Sequence, residues 1–154
     1  MYTWYYDGMK TKVIQTLEEL REVAHDVLHL CEHDGTAPIV ALSGDLGAGK
    51  TAFVKEVGVL LGVEYAITSP TFTIMKSYPI HNHPFLRTLT HIDAYRIESD
   101  DEMLVLGFDE IKKDMTRILC IEWPEKIQSL IPSGAIRVSI TLEQDGSRAI
   151  SYGR

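Results

Sequence analysis

Between residues 16 and 35, apolar side chains recur at helical spacing. Leu17, Leu20, Ala24, Val27, Leu28 and Cys31 mark one face, as a helix buried along one side requires. Thr16 and Glu19 have the spacing of a capping box at its start, and Gly35 and Pro38 stop it. The period then changes. Residues 37–43 form a short apolar run, suited to a strand covered on both faces. After a glycine-rich stretch, residues 51–62 return to helical composition. Residues 69–78 have strand composition behind an N-terminal turn, 79–84 a loop, and 87–96 alternate as another strand. Ser99 and Glu102 repeat the capping-box spacing and open a short helix that Gly107 ends. Residues 108–115 add a helical turn or two. Residues 117–123 read as a strongly apolar strand and 124–130 as a short helix. Residues 135–143 and 148–153 flank Asp145-Gly146, a hairpin signal. This order predicts one α/β domain with a largely parallel central sheet and antiparallel strands at one end. Tyr2, Trp4, Tyr5 and Tyr6 follow no period, so the N-terminal segment reads as an edge strand or a docking arm.

Composition narrows the class. The chain has 154 residues, 45% hydrophobic and 24% charged, which suits a soluble domain with its own core. No apolar run is long enough to span a membrane. The first residues lack the pattern of a secretory signal, so a cytoplasmic location is expected. Cys31 and Cys120 fall on apolar positions and read as reduced thiols. The net charge of −7 disfavours a direct grip on nucleic-acid phosphates. A role in a nucleic-acid pathway would therefore run through a protein partner.

The glycine-rich stretch carries the chemistry. Gly44-Asp45-Leu46-Gly47-Ala48-Gly49-Lys50-Thr51 fits GxxxxGK[ST], between a predicted strand and a predicted helix, as a phosphate loop requires. Glycines let successive main-chain N–H groups converge into an anion nest. The following helix adds its own N-terminal donors and the positive end of its dipole. Asp45, Leu46, Gly47, Ala48, Gly49, Lys50, Thr51 and Ala52 are the expected nucleotide-binding positions. Lys50 can reach the β- and γ-phosphates, and the Thr51 hydroxyl can ligate Mg²⁺. No Asn-Lys-x-Asp tetrapeptide occurs, so ATP is favoured over GTP.

Other polar residues stand where such a site needs them. Asp93 ends one predicted strand and Glu122 another, and ligands of open α/β sheets lie beyond the carboxyl ends of strands. Asp93 is placed to hold Mg²⁺. Glu122 is either strand-end punctuation or a catalytic group that orients water or touches the metal shell. Ser69 and Thr71 flank Pro70 and read either as turn chemistry or as a γ-phosphate sensor. His81 and His83 in the proline-bounded loop, with His91, are read as ordinary polar sequence rather than a zinc site. Arg96 is a weak candidate for neutralising transition-state charge.

Taken together, GDLGAGKT, TSPTF (68–72), HIDAYRI (91–97) and IEWPEK (121–126) resemble the TsaE family of P-loop ATPases, which acts in threonylcarbamoyladenosine synthesis on tRNA. The resemblance covers roughly residues 16–126. It implies a P-loop NTPase-like three-layer domain that binds ATP and Mg²⁺ and hydrolyses ATP weakly on its own. It implies a TsaB–TsaD transferase complex as partner, with tRNA contacted only indirectly and no membrane involved. It also implies switch-like roles for Ser69 and Thr71, a metal-site role for Asp93, a hydrolytic role for Glu122, and a place beside the nucleotide for Trp123. Residues 11–16 would border the adenine. A small-molecule kinase and a nucleotide-switched binding module remain the rival readings.

Overall fold

Strand β2 (Ile39–Ser43) is central because nothing polar interrupts it until its last residue, and its first four side chains are buried. The computed structural model describes residues 8–31 and 35–154. In chain order the remaining elements are β1 (Lys10–Ile14), α1 (Leu17–His29), α2 (Lys50–Leu60), β3 (Met75–Pro79) and β4 (Thr88–Asp93). Then come α3 (Asp100–Val105), α4 (Phe108–Lys113), β5 (Arg117–Glu122), a 3-10 segment (Pro124–Leu130), β6 (Ile136–Leu142) and β7 (Arg148–Gly153). The strands form one seven-stranded sheet in the order β1-β7-β6-β2-β5-β4-β3.

The inner strands β6, β2, β5 and β4 are parallel. Antiparallel strands flank them on both sides, not at one end alone. β7 and β1 lie on one side, and β3 pairs antiparallel with β4 on the other. The second antiparallel edge follows from connection length: the few residues between β3 and β4 can only return the chain beside itself. Pro79 closes β3 at the edge of the sheet, the position a strand proline tolerates.

Alternating strand residues build two apolar layers. Val40, Leu42, Leu89, Ile118 and Cys120 pack with the residues of α1 and α2. Ile39, Ala41, Ile92, Leu119 and Ile121 pack with α3, α4 and the 3-10 segment. This is the expected three-layer α/β architecture. On α1 the buried stripe is Leu20, Val23, Ala24 and Val27, and each leucine or valine so buried contributes about 1.5–3 kcal/mol before entropy is counted. Leu17 is 63% exposed. It sits beside the capping box, outside the stripe that faces α2.

The 69–78 strand expectation is shortened: residues 69–74 turn before β3 begins. The Asp145-Gly146 hairpin forms as predicted, with Gly146 at φ 85° and Ser147 donating its amide and hydroxyl to Asp145. Cys31 and Cys120 are both free thiols. β1 is an edge strand, while Tyr2, Trp4, Tyr5 and Tyr6, expected in an edge strand or a docking arm, lie outside the described residues. Among the described residues, no helix is long and apolar enough to cross a membrane.

Candidate functional site

Three parallel strands end side by side. Leu42 pairs with Glu122, and Asp93 pairs with Glu122. The loop after β2, the carboxylate closing β5 and the carboxylate closing β4 therefore share the carboxyl edge of the sheet, where open α/β sheets place ligands.

The loop is held by backbone conformations that favour glycine. A Cβ on Gly44 would stand 2.3 Å from the carbonyl oxygen of Ile140, and Gly44 has φ 143°. Gly49 caps α2 at φ 116° with no side-chain cap. Nothing acidic occupies the first turn of α2, so its N-terminal amides keep the positive end of the helix for an outside anion. Ala48 is buried beneath the loop, whereas Asp45, Leu46 and Gly47 form its exposed lip. Ala52 packs against the core.

Lys50 is 4% exposed. Its Nζ donates to the carbonyls of Gly44 at 2.6 Å and Asp45 at 2.9 Å, and lies 4.2 Å from the centre of the Trp123 ring. Burial pulls this ammonium below the ordinary lysine value, against the upward pull of Glu122, Glu125, Asp93 and Asp45. Trp123 has left-handed backbone angles, φ 57° and ψ 50°. Such strain costs on the order of 1–3 kcal/mol and gathers at functional sites. Tyr95 packs on the same indole, with ring centres 5.2 Å apart.

The carboxylates are interlocked with hydroxyls. Thr51 Oγ1 donates to Glu122 Oε1 at 2.7 Å. Buried His91 approaches the same oxygen through Nε2 at 2.8 Å. Thr71 Oγ1 donates to Asp93 Oδ2 at 2.8 Å, and Ser69 bonds to Thr71. The amide of Tyr95 donates to Asp93 Oδ1. The structure thus brings Lys50, Thr51, Glu122 and Trp123 into one cluster and links Ser69, Thr71 and Asp93 into a second beside it.

The available donors are hard oxygens: one hydroxyl and two carboxylates from adjoining strand ends. Among the described residues, no three His, Cys, Asp or Glu side chains gather into an all-protein cage. A sparse oxygen set fits Mg²⁺, which prefers one or two carboxylates together with phosphate and water oxygens.

Other candidates stand elsewhere. His83 Nδ1 accepts from the amides of Phe85 and Leu86 in the loop before β4, while His91 is inside the sheet. Arg96 stacks over the exposed Phe72 ring at 4.8 Å. Arg87 donates to the carbonyls of His83, Pro84 and Leu86, at the start of β4 and thus at the far edge of the sheet. A cavity of about 350 Å³ also opens at that far edge, near Cys31, Pro38, Pro132 and Arg154. Burial pushes the Cys31 thiol up to about 12, so it supplies no ready thiolate there.

Two contributors escape a reading of motifs. Arg148, on β7, donates Nε to the carbonyl of Ala48 at 2.8 Å and lies 3.3 Å from where a Cβ on Gly49 would stand. It braces the loop from a hairpin one hundred residues away in sequence, and nothing local signals this. His91 was legible as part of HIDAYRI, but its contact with Glu122 depends on strand register.

A family model described as "Threonylcarbamoyl adenosine biosynthesis protein TsaE" matches residues 14–150. The tRNA threonylcarbamoyladenosine biosynthesis protein TsaE of Borreliella burgdorferi is 40% identical over 109 residues, covering 71% of this chain and 75% of that protein. The TsaE of Treponema pallidum is 39% identical, covering 73% and 79%. The crystal structure of Bacillus subtilis YdiB superposes with a TM-score of 0.72 at 26% identity, covering 97% of this chain and 87% of that one.

Proposed function

This chain belongs to the TsaE family, and on that premise we propose that it is a magnesium-dependent ATPase acting on a TsaB–TsaD-like transferase complex in the cytoplasm. It serves tRNA threonylcarbamoyladenosine biosynthesis. The observation that carries the ATPase reading is the meeting of Lys50, Thr51 and Glu122 at the uncapped start of α2.

In this reading the amides of residues 45–52 enclose the phosphates, and Lys50 exchanges its two loop carbonyls for phosphate oxygens. Thr51 and Asp93, with Glu122 alongside, would hold a magnesium ion, which would supply charge neutralisation to the phosphates. Ser69 and Thr71 sit beside Asp93 as sensors of the γ-phosphate. Trp123 borders the nucleotide. Glu122 orients a water molecule and takes its proton as the water oxygen bonds to the γ-phosphorus. The bond from that phosphorus to the bridging oxygen breaks, and ADP leaves with the electron pair. The protein's net charge of −7 suits contact with tRNA through its partner rather than directly. A kinase would need an acceptor clamp, and Arg96 and Arg87, the arginines beside these strands, are engaged at Phe72 and at the far sheet edge.

Phosphate release by the purified chain tests this, with and without TsaB–TsaD. Slow release alone and faster release with the partners are expected. No release in either case, or transfer to a metabolite acceptor, would contradict the reading.

A further inference from the structure

His91 has no exposed surface. It lies on the same face of β4 as Leu89 and Asp93, because strand side chains alternate. An apolar side chain would fill this position without burying a polar atom. Instead Nε2 reaches Glu122 Oε1 at 2.8 Å, while Nδ1 is buried with no hydrogen-bond partner. All the hydrogen bonding of this side chain goes to one carboxylate oxygen. A carboxylate only accepts, so Nε2 is the nitrogen that carries the hydrogen.

We propose that His91 is a positioning residue: its Nε2–H fixes Oε1 of Glu122, so that Oε2 alone is presented to the attacking water. The proposal rests on ATP hydrolysis being the activity of this site. Both described bonds to the carboxylate, from Thr51 and from His91, end on Oε1. The two donors differ in what else they serve. Thr51 heads α2 and is also the hydroxyl assigned to the magnesium ion. His91 has no second partner to turn to, so it keeps hold of Glu122 when Thr51 lets go. Strand register supports the assignment. Asp93 pairs with Glu122 and His91 with Cys120, so His91 reaches Glu122 diagonally from one step deeper in the sheet. The residue after Glu122 is held in the left-handed region.

Three variants of the full chain, assayed with TsaB–TsaD, test the proposal. Gln carries an amide nitrogen about as far out as Nε2, Asn falls short, and Leu has none. His91→Leu should lower kcat by about 10–100-fold, the usual cost of losing an orienting partner. Its KM and nucleotide affinity should stay within about 3-fold, because ground-state binding is untouched. His91→Gln should recover most of the rate and His91→Asn should not. Unchanged kcat in His91→Leu, or equal rates in the Gln and Asn variants, would overturn the proposal. Should the Leu variant fail to fold, the Gln and Asn pair decides. A wild-type chain that hydrolyses no ATP with its partners removes the ATPase reading and this proposal together. An active wild type with a fully active His91→Leu removes only the role of His91. Independently of turnover, nitrogen-15 NMR of the imidazole should show a slowly exchanging hydrogen on Nε2. A hydrogen on Nδ1 would contradict the assignment.

Discussion

Helices α1 and α2 pack against each other, yet they begin in opposite ways. α1 satisfies its own start. The amide of Glu19 donates to Thr16 Oγ1 at 3.2 Å, and Glu19 Oε2 accepts from the amides of Gln15 and Thr16. Those backbone bonds hold the Glu19 carboxyl below its ordinary value, and Glu18 adds a second acid in the first turn. α2 has a left-handed glycine as its cap, no capping side chain, no acid, and a lysine in its first position. A cation there works against the helix dipole. Both helices bury comparable apolar stripes, and Arg21 of α1 ties to Glu56 of α2 at 2.7 Å. Packing therefore accounts for the bodies of both helices, and capping accounts for the start of only one. The start of α2 makes physical sense once an anion from outside the chain completes it.

The contrast can be broken at α2 or at α1. The largest effect is expected from Lys50→Ala, which should weaken Mg·ATP binding by about 100–1000-fold, the scale of losing one preorganised charge-stabilising group. Its melting temperature without nucleotide should hold. Retained calorimetric affinity would remove Lys50 from the site. Glu122→Gln keeps an oxygen to accept from Thr51 and His91 but loses the charge. Phosphate release should drop by about 100-fold, the lower range for a lost general base, with nucleotide affinity preserved. Gly49→Ala forces a side chain into the left-handed region, 3.3 Å from Arg148 Nε. Denaturant titration should show a loss of about 1–3 kcal/mol, together with weaker nucleotide binding. Thr16→Ala at α1 should cost about 1 kcal/mol of stability and leave affinity for the phosphates, read with inorganic triphosphate, as it was. A triphosphate defect in that variant would erase the distinction between the two helix starts.

The site was legible in the sequence wherever one short segment makes it. The loop 44–51 sits between a strand and a helix, as GDLGAGKT and its flanks required, and both capping boxes form at Thr16 and Ser99. Asp93 and Glu122 were recognisable as strand ends because an apolar run stops at each. What stayed hidden depends on register and on distant parts of the chain. Nothing local says that His91 is diagonal to Glu122 or that Arg148 lies under Gly49. The second antiparallel edge is a matter of the short connection after β3, while the strand that makes it starts late because residues 69–74 turn, with Ile74 at φ 66° and its amide bonded to the Pro70 carbonyl. Leu17 was assigned to the buried face of α1 because its spacing fits, but the cap holds it at the rim.

Calorimetric titration of Mg·ATP into the wild-type chain tests the central claim most directly. Saturable heat at one nucleotide per chain, abolished in Lys50→Ala, is the predicted result. Absence of heat in the wild type, or equal heat in both proteins, would contradict the assignment of the α2 start to a triphosphate.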